Sequence, residues 1–230
     1  MKLHKRLWID HQEVRLVQEE VRLELNNPGK ALFTVHARQP LQGLVRLEVG
    51  YNDGPLVRHF SGQVEHCITV NDHQQRVYCR EYTQALQAAM PLALRHVDLG
   101  QVLAEMSQLS GLTIYAPDAT YSKRRVPYFY SLGNGLQAVD SIRQVFAIDD
   151  FVWQQESDDR VFVGAWADSQ WGNRNALTLP PELFESHHGN QSAQIAVMPG
   201  LRPGASFNFA QRIVSITLSD SKMALRWKTP

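Results

Sequence analysis

Residues 96–115, HVDLGQVLAEMSQLSGLTIY, place a complete helix signature in the middle of a chain that otherwise alternates with a period of two. Asp98 stands where an N-cap is needed, and Gln101 is three positions on, so the pair predicts a capping box. Leu99, Val102, Leu103, Met106 and Leu109 recur at helical spacing, and Gly111 supplies the left-handed C-cap. A helix of this kind must bury its apolar stripe against a layer of its own. The chain is therefore expected to carry an inserted helical module between two β-rich segments.

The segment from about residue 12 to 82 reads as strands separated by turn chemistry. EVRLEL runs into NNPG, ALFTVHA follows, LVRLEVG runs into YNDGP, and the long LVRHFSGQVEHCITV comes next. In LVRLEVG, Val45, Leu47 and Val49 share one face and Arg46 and Glu48 the other, the pattern of a sheet with one face in a core. This predicts a barrel or sandwich. A short helical piece is expected at 82–90, where Pro91 closes it. The hairpin centred on His73 is expected to set Cys67 opposite Cys79, Ile68 opposite Tyr78 and Val64 opposite Tyr82.

From Leu94 to Trp166 the expected order is β-α-β-β-α-β-β over one small mixed sheet. ALRHV is the first strand, LTIYAP and RVPYFYSL flank a polar DATYSKRR loop, and Leu136, Val139, Ile142 and Phe146 line a second helix capped by Asn134. DFVWQQ and RVFVGAW form a closing hairpin. Beyond a polar, proline-containing stretch the chain returns to strands, with a turn at Pro203 and Gly204. The last hairpin is expected to fold about SDSK, with Leu218 against Met223, Ile216 against Leu225 and Val214 against Trp227. The fold class that follows is α+β: a β-barrel-like part at 1–90 and 168–230, with the small α+β module at 91–167 between them.

Chemistry is sparse. The 230 residues carry 23 basic and 23 acidic side chains, so the overall field favours neither nucleic acid nor an anionic membrane. No apolar run approaches the roughly 20 residues that span a bilayer, and the N-terminus lacks the pattern of an export signal. Two cysteines make no disulfide scaffold, and a reducing compartment leaves Cys67 and Cys79 as thiols. With His66 and His73 they fall short of a metal quartet. His187 and His188 are adjacent, which suits a surface loop better than joint ligation. Asp149 with Asp150 and Asp158 with Asp159 occupy element ends. HExxH, GxSxG and phosphate-loop motifs are missing. No catalytic, cofactor-binding or metal site is expected. In YSKRRVPYFY, Lys123, Arg124 and Arg125 precede three aromatics, read as a solvated loop before a buried strand, with contact to nucleic acid or an acidic protein patch as the alternative.

LVRLEVGYNDGPLVRHFSGQVEHC resembles the early part of phage tail hub proteins, the group of late control protein D, the Mu-like baseplate hub and the VgrG spike proteins. Gly50, Tyr51, Phe60, Gly62 and Val64 hold the places of that group's GY and FxG.V elements. The closing RPG…V…M…W pattern is matched at Arg202, Pro203, Gly204, Met223 and Trp227. The middle segment resembles the small N-terminal domain of secretins and TonB-dependent signalling receptors. What these resemblances imply is a non-enzymatic component of a phage tail tip or baseplate, assembled in the host cytoplasm into the virion. The β parts would form tube-like domains around a threefold axis as a homotrimer. Its partners would be the tail tube or distal tail protein, the tape-measure protein and a spike or tip protein, with DNA only in transit through the lumen. A secretin-like or receptor-like envelope module is the second reading, and a hydrolase built on His187 and His188 the third.

Overall fold

The computed structural model describes residues 2–187, 191–208 and 211–229. It divides into two compact units: Met1–Glu81 together with Asn175–Pro230, and Tyr82–Arg174.

The first unit begins with seven strands: β1 (Leu3–Ile9), β2 (Gln12–Val14), β3 (Leu16–Glu24), β4 (Asn27–His36), β5 (Leu44–Tyr51), β6 (Val57–Asn71) and β7 (Gln74–Glu81). The second unit follows with β8 (Leu92–Val97), α1 (Leu99–Ser110), β9 (Ile114–Tyr115), α2 (Thr120–Lys123), β10 (Val126–Ser131), α3 (Gly135–Val145), β11 (Phe151–Gln155) and β12 (Val161–Ala165). The chain then returns to the first unit with β13 (Phe184–His187), β14 (Ser192–Ala196), β15 (Ser206–Phe207), β16 (Gln211–Ser219) and β17 (Lys222–Lys228).

All strands of the first unit belong to one antiparallel sheet in the order β13-β14-β17-β16-β3-β4-β7-β6-β5-β1-β2, with β15 on β16. The sheet curls into a half-barrel. Its curvature has a local cause: registers shift at β3–β4, β5–β6, β6–β7 and β16–β17, and each bulge bends its strand and adds twist. The alternation in β5 holds, with Val45, Leu47 and Val49 buried among Leu7, Phe33 and Phe60. Phe33 meets Phe60 edge to face at 6.1 Å.

The same bulges displace the expected registers. At β6–β7 the turn takes only Asp72 and His73, and the ladder shifts again between Val64 and His66. Cys67 therefore faces Val77, Ile68 faces Arg76, His66 faces Tyr78, and Cys79 faces Val64, so the expected Cys67–Cys79 pair does not form. In the last hairpin Leu218–Met223 and Ile216–Leu225 pair as expected, but a bulge at Val214 gives Trp227 to Ile213 instead.

In the second unit α1 has the full capping box of Asp98 and Gln101 and the αL cap at Gly111. Leu99, Val102, Leu103 and Met106 are buried, whereas Leu109 is exposed because it lies past the stripe that meets the core. Asn134 caps α3, whose Val139 and Ile142 join Phe129 and Phe146 in a common core. In place of one mixed sheet there are two: antiparallel β8–β10, and β11-β12-β9 with β9 parallel to β12. The division falls at 81/82 and 174/175, not at 90/91 and 167/168. Residues 82–87 form a 3₁₀ turn whose Leu86, with Met90, packs into the second unit's core. At the other end the Ser169 hydroxyl accepts from the amides of Trp171 and Gly172, which folds 169–172 back onto Trp166.

Gly62 in β6 passes so near β7 that a Cβ there would sit 1.9 Å from the Arg80 carbonyl oxygen. Gly62→Ala should cost about 3 kcal/mol in urea unfolding, as forced movement of a buried ladder does. Gly111→Ala, which meets open space but must hold φ +73°, should cost only about 1 kcal/mol. Equal losses would mean that the β6–β7 approach is not tight.

Candidate functional site

Two features of the first unit are built from side chains that sequence spacing alone does not bring together. The first joins the returning segment to β6 and β7. Arg202 is buried; its Nη2 donates to Glu81 Oε1 at 3.0 Å and its Nη1 to the His59 carbonyl at 2.9 Å. Glu81 accepts a second bond, at 2.7 Å, from the Gly29 amide through Oε2. Nearby, the Tyr51 hydroxyl donates to the Val197 carbonyl at 2.8 Å. Tyr51 and Arg202, picked out from sequence only as motif positions, thus both tie the returning segment to the first. A guanidinium suits this place because its planar fork serves two acceptors at once.

The His59 ring is fully buried, and neither ring nitrogen has a hydrogen-bond partner among the described residues. Burial, with the charges of Arg202 and Lys5 added, pushes its pKa down to about 3. It is held neutral. The arrangement can fix strands together; it offers no exposed nucleophile or base.

The second feature is the seam of the half-barrel. β1 pairs with β2 only over Leu7–Ile9, and β3 pairs with β16 only from Glu20 onward. Between Leu3–Arg6 and Leu16–Glu19 lies a cleft of about 780 Å³, lined by Leu3, Lys5, Arg15, Val17, Glu19 and Asp220 among others. Lys5 donates to Glu19 and to the Asp220 carbonyl. Burial raises the Glu19 pKa, and Lys5 opposes that shift.

The remaining residues weighed from sequence are dispersed. His66 stacks on Tyr78 at 4.2 Å, His73 sits in the β6–β7 turn, and Cys79 is a buried thiol whose pKa is raised chiefly by burial. His187 ends strand β13 rather than lying in a loop, and His188 lies outside the described residues. Asp158 pairs with Arg160 at 2.6 Å in the β11–β12 turn. Among the described residues no group of three or more His, Cys, Asp and Glu side chains is arranged to hold a metal ion. No helix among them is long and apolar enough to cross a membrane.

Three open surfaces complete the picture. β5 covers β6 only as far as Gln63, so Ile68 and Val70 lie on an uncovered edge, 48% and 45% exposed. The seam cleft is the second. The third is the outer face of β8–β10, with Tyr128, Tyr130 and Leu132 more than 60% exposed.

The geometry has close counterparts. The 43 kDa tail protein of prophage MuSo2 from Shewanella oneidensis superposes with a TM-score of 0.75 at 7% identity, covering 100% of this chain and 97% of that one. The chain has the fold of a phage tail protein. A tail protein from Neisseria meningitidis MC58 matches with a TM-score of 0.68 at 8% identity, over 99% and 96% of the two chains. An E. coli component of the type VI secretion system, itself similar to T4 bacteriophage tail proteins, matches at 0.62 and 13% identity, over 97% and 76%. In sequence, an uncharacterized 58.7 kDa protein of Haemophilus phage HP1 is 28% identical over 226 residues, 98% of this chain. The chain spans 42% of that relative's length. No family model matches.

Arg202→Met should cost about 3 to 5 kcal/mol, because it leaves Glu81 charged and buried. Adding Glu81→Gln, which keeps an acceptor for the Gly29 amide, should recover part of that loss in the same denaturation series. His59 gives a pH signature. The unfolded chain takes up its proton below about pH 6.5 and the folded chain does not, so acid favours unfolding. Between pH 6.5 and 5 the protein should lose about 2 kcal/mol through this group, and His59→Leu should flatten that part of the curve.

Proposed function

We propose that this protein is a structural component of a phage tail tip or baseplate, a hub that closes or caps the tail tube and connects it to the distal tip or spike. It acts without catalysis, as a homotrimer whose first unit lines a channel. The observation that carries the reading is the whole-chain match to tail proteins, covering both β segments and the unit between them. The phage HP1 relative supports it independently in sequence. The uncovered edge of β6 supplies a surface for assembly. Subunits of a closed ring meet heterologously, one face against a different face of the next, and an edge strand with exposed Ile68 and Val70 is a template for such pairing. On this reading the neighbours are the tail tube or distal tail protein, the tape-measure protein and the tip or spike, and DNA passes only through the lumen. The envelope-module reading accounts for the second unit alone and leaves the twelve-stranded sheet without a role.

Light scattering after size exclusion should give three times the subunit mass. Ile68→Lys with Val70→Lys should yield a folded monomer, its far-UV circular dichroism unchanged. A wild-type protein that stays monomeric at high concentration and binds no tail component would overturn the hub reading.

A further inference from the structure

The β8–β10 ribbon is a two-stranded sheet with one face committed to the second unit's core. Leu92, Val97, Val126 and Phe129 point into that core. The opposite face is open, with Tyr128, Tyr130 and Leu132 at 64%, 62% and 73% exposure, the three most exposed large apolar side chains described. Tyr128 faces Arg95 across the ladder and Tyr130 faces Ala93. Arg95 lies over the Tyr128 ring at 5.8 Å. Among the described residues no other strand pairs with either outer edge of the ribbon. The core secures one face of the ribbon, and its outer edges keep unpaired backbone groups to which a further strand can add.

Charge selects the occupant. Arg95, Arg124 and Arg125 are exposed, and no carboxylate lies within ion-pair distance of them among the described residues, whereas Lys123 is already paired with Asp118 at 2.6 Å. Aromatic side chains with arginine make the composition of interface hot spots. We propose that this face docks an acidic protein segment in extended conformation, which adds to an open edge of the ribbon and sets its carboxylates against Arg95, Arg124 and Arg125. Nucleic acid fits less well. From Tyr82 to Arg174 seven Lys and Arg stand against ten Asp and Glu, so the unit as a whole repels a polyanion while its basic face still attracts a short acidic strand. The inference concerns the second unit only and holds whether or not the first unit forms a ring.

The test uses the full chain and a fluorescent peptide of about twelve residues alternating glutamate with valine and threonine. Expected are saturable binding at pH 7 that weakens as salt rises, and slowed amide exchange confined to residues 92–97 and 126–131. Tyr128→Ser with Tyr130→Ser, and separately Arg95→Ala with Arg125→Ala, should each weaken binding about tenfold or more, the arginine pair also flattening the salt dependence. A peptide with lysine for glutamate should bind about tenfold more weakly. No saturable binding at about 1 mM, protection elsewhere on the chain, or tighter binding of a single-stranded oligothymidylate would each overturn the proposal. So would loss of self-association in the tyrosine variant, which would make this face an interface between copies.

Discussion

One buried guanidinium holds together a sheet that the chain builds in two instalments. β3 pairs with β16 at Glu20–Ser219, with the whole second unit synthesised between them. The entropy of closing so long a loop grows only with the logarithm of its length, so a few strong contacts suffice to fix it. Arg202 is such a contact because its two terminal nitrogens reach different strands, the His59 carbonyl in β6 and the Glu81 carboxylate at the end of β7. Lysine at this position would offer one point charge and no fork. Beside it the His59 ring is held neutral, chiefly by its own burial and further by the charges of Arg202 and Lys5. The burial that packs this junction thereby makes its stability fall in acid, and the guanidinium adds to the effect.

The second constraint is curvature. A sheet this wide curls or splits, and here the bulges set where it curls. Gly62 answers a different demand: it pairs in register with Glu81, and where β6 and β7 crowd at the Arg80 carbonyl no side chain has room. Phe60, two residues earlier, is fully buried against Phe33.

How much of this is legible in sequence depends on how local its cause is. The caps of α1 and α3 are set by residues three positions apart, and Asp98, Gln101, Gly111 and Asn134 could all be read directly. Burial along β5 follows from alternation alone. Register does not, because a bulge inserts one residue without a composition signal. Trp227 therefore meets Ile213 instead of Val214, and Cys67 loses Cys79 to Val64. Leu109 continues the helical spacing but lies past the layer that buries it. The Arg202–Glu81–Gly29 cluster was out of reach for a different reason: its three members are brought together only by the fold, and the single hint was Arg202 as a motif position. Lys5 and Glu19 carried no hint at all.

The two openings of the sheet are treated in opposite ways, and that contrast bears on assembly. Exposed edges invite pairing with other chains, and proteins that must stay apart blunt them with charge. At the seam, Lys5 reaches across from β1 to Glu19 in β3 and to the Asp220 carbonyl, so an inward-pointing charge occupies the place a strand would take. Among the described residues no ion pair closes the end of β6 in this way. Ile68 and Val70 are presented to solvent, Arg76 faces Ile68 from the neighbouring strand, and the turn at Asp72 and His73 keeps the hairpin extended. Had the edge been a mere by-product of curling, a single lysine at 68 or 70 would have removed the aggregation hazard at almost no cost to the core. With two β-branched apolar residues there instead, the end of β6 stays open to pairing while the seam is closed to it by charge, and the two openings of one sheet differ in what they admit.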